Sequence, residues 1–198
     1  EQRKLSLGEV LDNPVLRPLL IAMALNTLGL VFMESTFALL VKLRFDIGPV
    51  ALGRLLAGIG VALALVQGGL FGPLSRRLGE RFTARLGAAT ICVALVWMPY
   101  APVFSLLLVS TGLLALGNGL LSPSLSTLLS RNAPVSAQGA VLGLGHSISA
   151  ASRASGPLLA GTLFDRAHPA PYLVGAALFL IVAVLLSIPT QTRTAHSS

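Results

Sequence analysis

The sequence predicts an all-α membrane protein with six transmembrane helices. Three observations carry that prediction. Hydrophobic residues make up 54% of the 198-residue chain and charged residues only 11%, against about 25% charged in a typical soluble domain. Mean hydropathy is +0.83. The apolar residues fall into six runs, close to the ~20 that a helix needs to cross a bilayer. The runs are also too long for strands, and an open sheet would leave backbone groups unsatisfied in lipid.

Taken in order, the runs span about 19–41, 50–74, 86–100, 105–130, 139–164 and 172–188, the third being the shortest. A polar lead (1–17) precedes the six-helix domain (18–189), and a polar tail (190–198) follows it. The breaks have turn chemistry: "DIGP" at 46–49, "MPYAP" at 98–102, "RNAP" at 131–134 and "HPAP" at 168–171. The second break is different. There "GPLSRRLGER" (72–81), with Arg85 beyond it, crowds four arginines between two apolar runs. Because the chain starts at Glu1 rather than Met, it reads as an excerpt of a longer protein; no cleavable signal peptide is expected.

The formal net charge of +7 would suggest nucleic acid in a soluble protein. Here the cations lie in short turns, and no nucleic-acid partner is expected. With both termini cytoplasmic, nine cations fall inside: Arg3, Lys4, Arg17, Arg76, Arg77, Arg81, Arg85, Arg131 and Arg193. Only Lys42, Arg44 and Arg166 fall outside, as the positive-inside rule requires. Trp97, Tyr100 and Tyr172 are expected in the outer aromatic belt. The arginine turn then anchors the orientation. Cys92 is the one cysteine and excludes an internal disulfide.

That turn also has a recognisable pattern. Gly72-Pro73-Leu74-Ser75-Arg76-Arg77-Leu78-Gly79-Glu80-Arg81 resembles the glycine–aspartate–arginine–glycine loop motif of the major facilitator superfamily. Gly72, Arg77, Gly79 and Arg81 match. Arg76 stands where the family has aspartate, and Glu80 where it usually has a basic residue, as in the degenerate second-half copy. "FMESTFALL", "QGGLFGPLSRRLGER" and "SRNAPVSAQGAVLGLGHSISAASRASGPLLAGTLFD" are similar to segments of drug:proton antiporters of the tetracycline-efflux type. The resemblance implies the C-terminal half of a twelve-helix transporter, built as two inverted three-helix repeats. It further implies a partner N-terminal half, a small amphipathic substrate, a bacterial inner or plasma membrane and a proton gradient as energy source. No cofactor or metal is expected.

Polar residues deep in the spans are the candidates for chemistry, since a charge at the bilayer centre costs ~2.5–3.5 kcal/mol. Glu34 and Arg153 lie about 24 Å and about 21 Å from the cytoplasmic end at 1.5 Å per residue. The resemblance makes their helices neighbours, so an ion pair is expected. It serves as a staple, or else Glu34 faces the cavity and contacts substrate or takes a proton. Pairing with arginine argues against Glu34 as the main proton carrier. Arg54 lies near the outer end of its helix and can snorkel. Asn26 and Asn118 are expected on cavity-lining helices, Gln67 and His146 on helices facing the other half. The plainer role for each is a helix–helix hydrogen bond. Close packing is expected at Gly68/Gly72 and Gly139/Gly143, and a kink with close approach at Gly156 and Pro157.

Two other classes compete with a transporter half. An intramembrane protease needs Ser and His on different helices, yet Ser155 and His146 share one run. A six-helix subunit that only binds a partner would present the same small and polar faces.

Overall fold

The computed structural model describes residues 10 and 12–187. Among them every regular element is helical. The helices are α1 (Leu16–Phe45), α2, α3 (Glu80–Trp97), α4 (Phe104–Asn132), α5 (Gln138–Arg166) and α6 (Ala170–Leu185). Helix α2 runs from Pro49–Leu65 through a π turn at Val66–Leu70 into Phe71–Leu78. Arg3, Lys4, Arg193 and the predicted tail lie outside the described residues.

Local chemistry sets the boundaries. The Asn13 carboxamide oxygen accepts from the Val15 and Leu16 N–H groups and opens α1. Asp46 closes α1 in the left-handed region at φ 50°, its N–H bonded to the Lys42 carbonyl. Lys42 also pairs with the Asp46 carboxylate, and Arg44 donates to the Pro99 carbonyl. Two of the three cations on the sparsely charged side thus have structural partners. Pro73 explains the π turn. It has no N–H for the Gly69 carbonyl, and the chain widens one turn, with the Phe71 N–H donating to Val66 five residues back.

The structure corrects the arginine turn. Helix α2 continues to Leu78 and α3 begins at Glu80, so a single residue, Gly79, makes the break. Its backbone (φ 80°, ψ 153°) belongs to a region essentially reserved for glycine. Its carbonyl accepts from the Thr83 N–H and hydroxyl, at 3.1 and 2.9 Å. Helix α3 is therefore longer than expected, and the arginines sit on helical turns.

Among the described residues four helices, α1 to α4, are long and apolar enough to cross a membrane. Helix α5 has the length, 29 residues, but its glycines, serines, His146 and Arg153 dilute its hydropathy. Helix α6 is apolar but its described part has 16 residues. The six predicted spans are all present as helices.

Helices α1, α3, α4 and α6 form the core; α2 leans on α4, and α5 on α1. The tightest seam is α3–α4. A Cβ at Gly87 would lie 2.6 Å from the Gly117 carbonyl oxygen, and one at Gly117 would lie 2.7 Å from that of Gly87. The small-residue pairs expected from spacing do no such work. Gly68, Gly139 and Gly143 have open space around them, and Gly72 meets only the end of Arg76. Four-residue spacing makes a smooth face but does not say whether another helix lies on it. Trp97 and Tyr100 are exposed as a belt requires, whereas Tyr172 is fully buried in the core. It begins α6 at the expected level but points between helices.

Candidate functional site

Two cavities open side by side in the bundle. The first, about 220 Å³, lies among α1, α4 and α5. Asn26, Leu30 and Glu34 enter it from α1, four residues apart and hence on one face. Asn118, Ser122 and Ser126 repeat that spacing on α4, and α5 contributes His146, Ser149 and Arg153. The second, about 370 Å³, lies among α1, α2 and α4. It is apolar, lined by Met33, Phe37, Leu56, Ile59, Leu63 and Leu114 among others. Leu30, Glu34 and Asn118 line both cavities and form the wall where polar meets apolar.

Arg153 Nη1 lies 3.3 Å from Glu34 Oε2, which joins α5 to α1. The pair is not sealed in: the side chains retain 59% and 49% of their accessible surface. Thr27 Oγ1 bonds Ser149 Oγ at 3.1 Å one to two turns away, along the same α1–α5 seam. At this site two further groups are buried without a hydrogen-bond partner among the described residues, the side-chain oxygens of Asn26 and Asn118. An unpaired buried acceptor costs about 1–3 kcal/mol, so both oxygens call for a donor within the cavity, from water or from a ligand.

The geometry gathers five of the deep polar candidates, Asn26, Glu34, Asn118, His146 and Arg153, around one cavity. Gln67 is separate. It sits in the π turn of α2, exposed, and lines neither cavity. Helix–helix hydrogen bonds from Asn26, Gln67, Asn118 and His146, their expected plainer role, are absent among the described residues. Gly156 lies directly against α1, where a Cβ would come within 2.4 Å of Val31 Cγ1. Pro157 follows inside an unbroken helical assignment. Ser155 and His146, nine residues apart, point half a turn away from each other. Among the described residues no group of His, Cys, Asp or Glu could hold a metal ion.

At the arginine end, Arg76 Nε donates to the Gly72 carbonyl at 3.3 Å and Arg77 is exposed. Arg81 lies on the first turn of α3, where Arg85 covers the Phe82 ring at 5.6 Å. Glu80, the departure from the family pattern, pairs with Arg131 of α4 at 2.8 Å. The carboxylate stands at the N-terminus of α3 and the guanidinium near the C-terminus of α4, so each helix dipole favours its charge.

Sequence reasoning missed the hydroxyls of Thr27, Ser122, Ser126 and Ser149. Such groups satisfy themselves on the carbonyl four residues back, as Thr27 and Ser126 do, and so read as neutral filler. The four-residue register of Ser122 and Ser126 with Asn118, and of Ser149 with Arg153, was the available signal.

Residues 19–198 match the family described as Major Facilitator Superfamily. The chain belongs to that superfamily. It is 36% identical over 157 residues to the tetracycline resistance protein, class G, of Vibrio anguillarum, covering 75% of this chain and 39% of that protein. It is 30% identical over 167 residues to the class D protein of Salmonella ordonez, covering 78% and 40%. The multidrug resistance protein 2 of Bacillus subtilis (strain 168) is 27% identical over 153 residues, covering 77% and 38%. The crystal structure of the human organic anion transporter MFSD10 (TETRAN) superposes with a TM-score of 0.81 at 23% identity, covering 90% of this chain and 44% of that one. The chain thus spans about two fifths of the length of its curated relatives. The fold is that of a major facilitator half, and the chain is an integral membrane protein of that superfamily.

Proposed function

We propose that the chain is the C-terminal half of a secondary active transporter that expels small amphipathic compounds, drugs among them, by proton-coupled alternating access. The observation that carries this reading is the pair of adjoining cavities, one polar and one apolar, meeting at Glu34 and Asn118. Such a site suits a molecule with a hydrogen-bonding head and a hydrophobic body. The resistance proteins among its relatives support an outward direction. Leu56, Gly60 and Ala64 of α2, exposed and four residues apart on one face, suit packing against a second six-helix half. The clustering of arginines at the Gly79 end supports placing that end, and both termini, in the cytoplasm of a bacterial plasma membrane.

The test is accumulation of a fluorescent amphipathic drug in bacteria expressing the full-length protein. Expression lowers accumulation, collapsing the proton gradient restores it, and Asn118→Ala weakens the effect. Accumulation that expression leaves unchanged, across several amphipathic compounds, overturns the proposal. An effect that survives collapse of the gradient overturns the proton coupling alone.

A further inference from the structure

A third cavity, about 250 Å³, lies between α2 and α4, outside the two described above. Arg54, Gly58 and Ala62 line it from α2, Leu108 and Gly112 from α4. Both helices start at the same end of the bundle, after the turns at 46–48 and 98–103, and run in the same direction. Counting inward, Arg54 and Leu108 stand at one level, about 6–8 Å from the helix starts. Gly58 and Gly112 stand one turn deeper, facing each other across the cavity. Neither glycine has an atom within 4 Å of where a Cβ would be. Two opposed glycines therefore hold open an apolar groove, and an arginine stands at its mouth.

Arg54 has no ion pair or hydrogen bond among the described residues. It is exposed, and its helix of 29 residues overhangs a ~30 Å hydrocarbon core by about 7 Å at each end, which sets the guanidinium near the headgroup layer. A guanidinium offers five donors in a fork that matches phosphate. Basic pockets between transmembrane helices are suited to anionic headgroups. The groove beneath leads inward, and it is closed off from the apolar cavity by Ile59 and Thr111, which line both.

We propose that this groove binds an anionic phospholipid, with its phosphate on Arg54 and one acyl chain laid between Gly58 and Gly112. Hydrocarbon in the groove gains little over hydrocarbon in the bilayer. Selectivity therefore comes from the charge, and the shape fixes where the lipid sits. A bound lipid braces α2 against α4 behind the apolar cavity.

The experiment uses the full-length protein, delipidated in detergent and titrated separately with phosphatidylglycerol and phosphatidylcholine, with bound lipid counted by native mass spectrometry. Wild-type protein retains phosphatidylglycerol in preference. Arg54→Gln lowers that retention about tenfold, the factor carried by one charge-assisted hydrogen bond. Gly112→Leu, which fills the groove and keeps the charge, lowers it as well. Gly58→Leu is the second filler should Gly112→Leu fail to fold, and thermal unfolding checks each variant. Inorganic phosphate at the same concentration does not compete. Undiminished retention in Arg54→Gln overturns the proposal. So does undiminished retention in a folded groove-filling variant, which leaves only surface charge, and so does displacement by inorganic phosphate, which leaves a free-anion site.

Discussion

Neutralising Glu34 separates the two roles open to its ion pair with Arg153. A staple that holds α5 on α1 would be a buried pair, and breaking one partner of such a pair costs about 3–5 kcal/mol. The observed pair makes a single contact at 3.3 Å, with side chains 49% and 59% exposed. Pairs that open to solvent contribute about 0.2–1 kcal/mol. A double-mutant cycle of Glu34→Gln, Arg153→Gln and the double variant, read by thermal unfolding of the purified protein, is expected to give a coupling energy below about 1 kcal/mol. Glutamine keeps the shape of the side chain, so cavity volume hardly changes. A substrate donor that bonds the carboxylate loses about 1.5–3 kcal/mol, a drop of tenfold or more in affinity. Binding of a fluorescent amphipathic drug to the same samples reads that drop. A coupling of about 3 kcal/mol with unchanged drug affinity would refute the reasoning and return the pair to a structural role.

Three further outcomes follow from the packing and the helix ends. Gly87→Ala, whose methyl meets the Gly117 carbonyl oxygen at 2.6 Å, is expected to lose about 1–3 kcal/mol through overpacking. Gly143→Ala meets nothing within 4 Å and is expected to be neutral or stabilising by up to about 1 kcal/mol through helix propensity; equal melting temperatures for the two would contradict the α3–α4 seam. Gly79→Ala is expected to cost about 1–3 kcal/mol, because alanine strains at φ 80°, ψ 153°, and chemical denaturation of the two proteins in mixed micelles checks it. Glu80→Gln removes the partner of Arg131, which is 68% exposed, and is expected to cost about 1 kcal/mol or less. Raising the salt concentration should shrink that difference, and a difference that grows with salt would exclude the ion pair as its cause.

Much of this was legible in the sequence, for definite physical reasons. A bilayer forces its solution on the backbone, so long apolar runs could only be helices, and all six predicted runs are helices. The cost of charge in lipid singled out Glu34 and Arg153, and equal depth on neighbouring helices brought them within 3.3 Å. Less legible was anything that depends on which side of a helix meets a neighbour. Gly139 and Gly143 have the same spacing as packed glycines but face open space, whereas Gly87 and Gly117, far apart in sequence, touch backbone to backbone. Tyr172 stands at the level an aromatic belt requires yet is turned inward. The turn at 72–81 misled because glycine, proline and arginine read as loop. Pro73 is absorbed by a π turn on its N-terminal side, which leaves Gly79 alone to reverse the chain. Serine and threonine in the cavity were invisible because their bonds to their own helix conceal them.

The placement of the two cavities follows from the way the helices divide the packing. The seams among α1, α3, α4 and α6 are closed by backbone-level contacts, such as Gly87 on Gly117 and Gly175 on Gly29. Helices α2 and α5 each lean chiefly on one neighbour. Each cavity has two walls from the closed core, α1 and α4, and a third from a leaning helix: α5 completes the polar one, α2 the apolar one. Of the two leaning helices, α2 carries a backbone irregularity, the π turn before Pro73, whereas α5 runs unbroken through Gly156 and Pro157. A displacement of α5 therefore moves Arg153, His146 and Ser149 relative to Asn26 and Glu34 without disturbing the apolar cavity. A displacement of α2 moves Leu56, Ile59 and Leu63 without disturbing the polar one. Glu34 and Asn118 sit on the fixed helices and line both cavities, so they keep their positions relative to each other whichever wall moves.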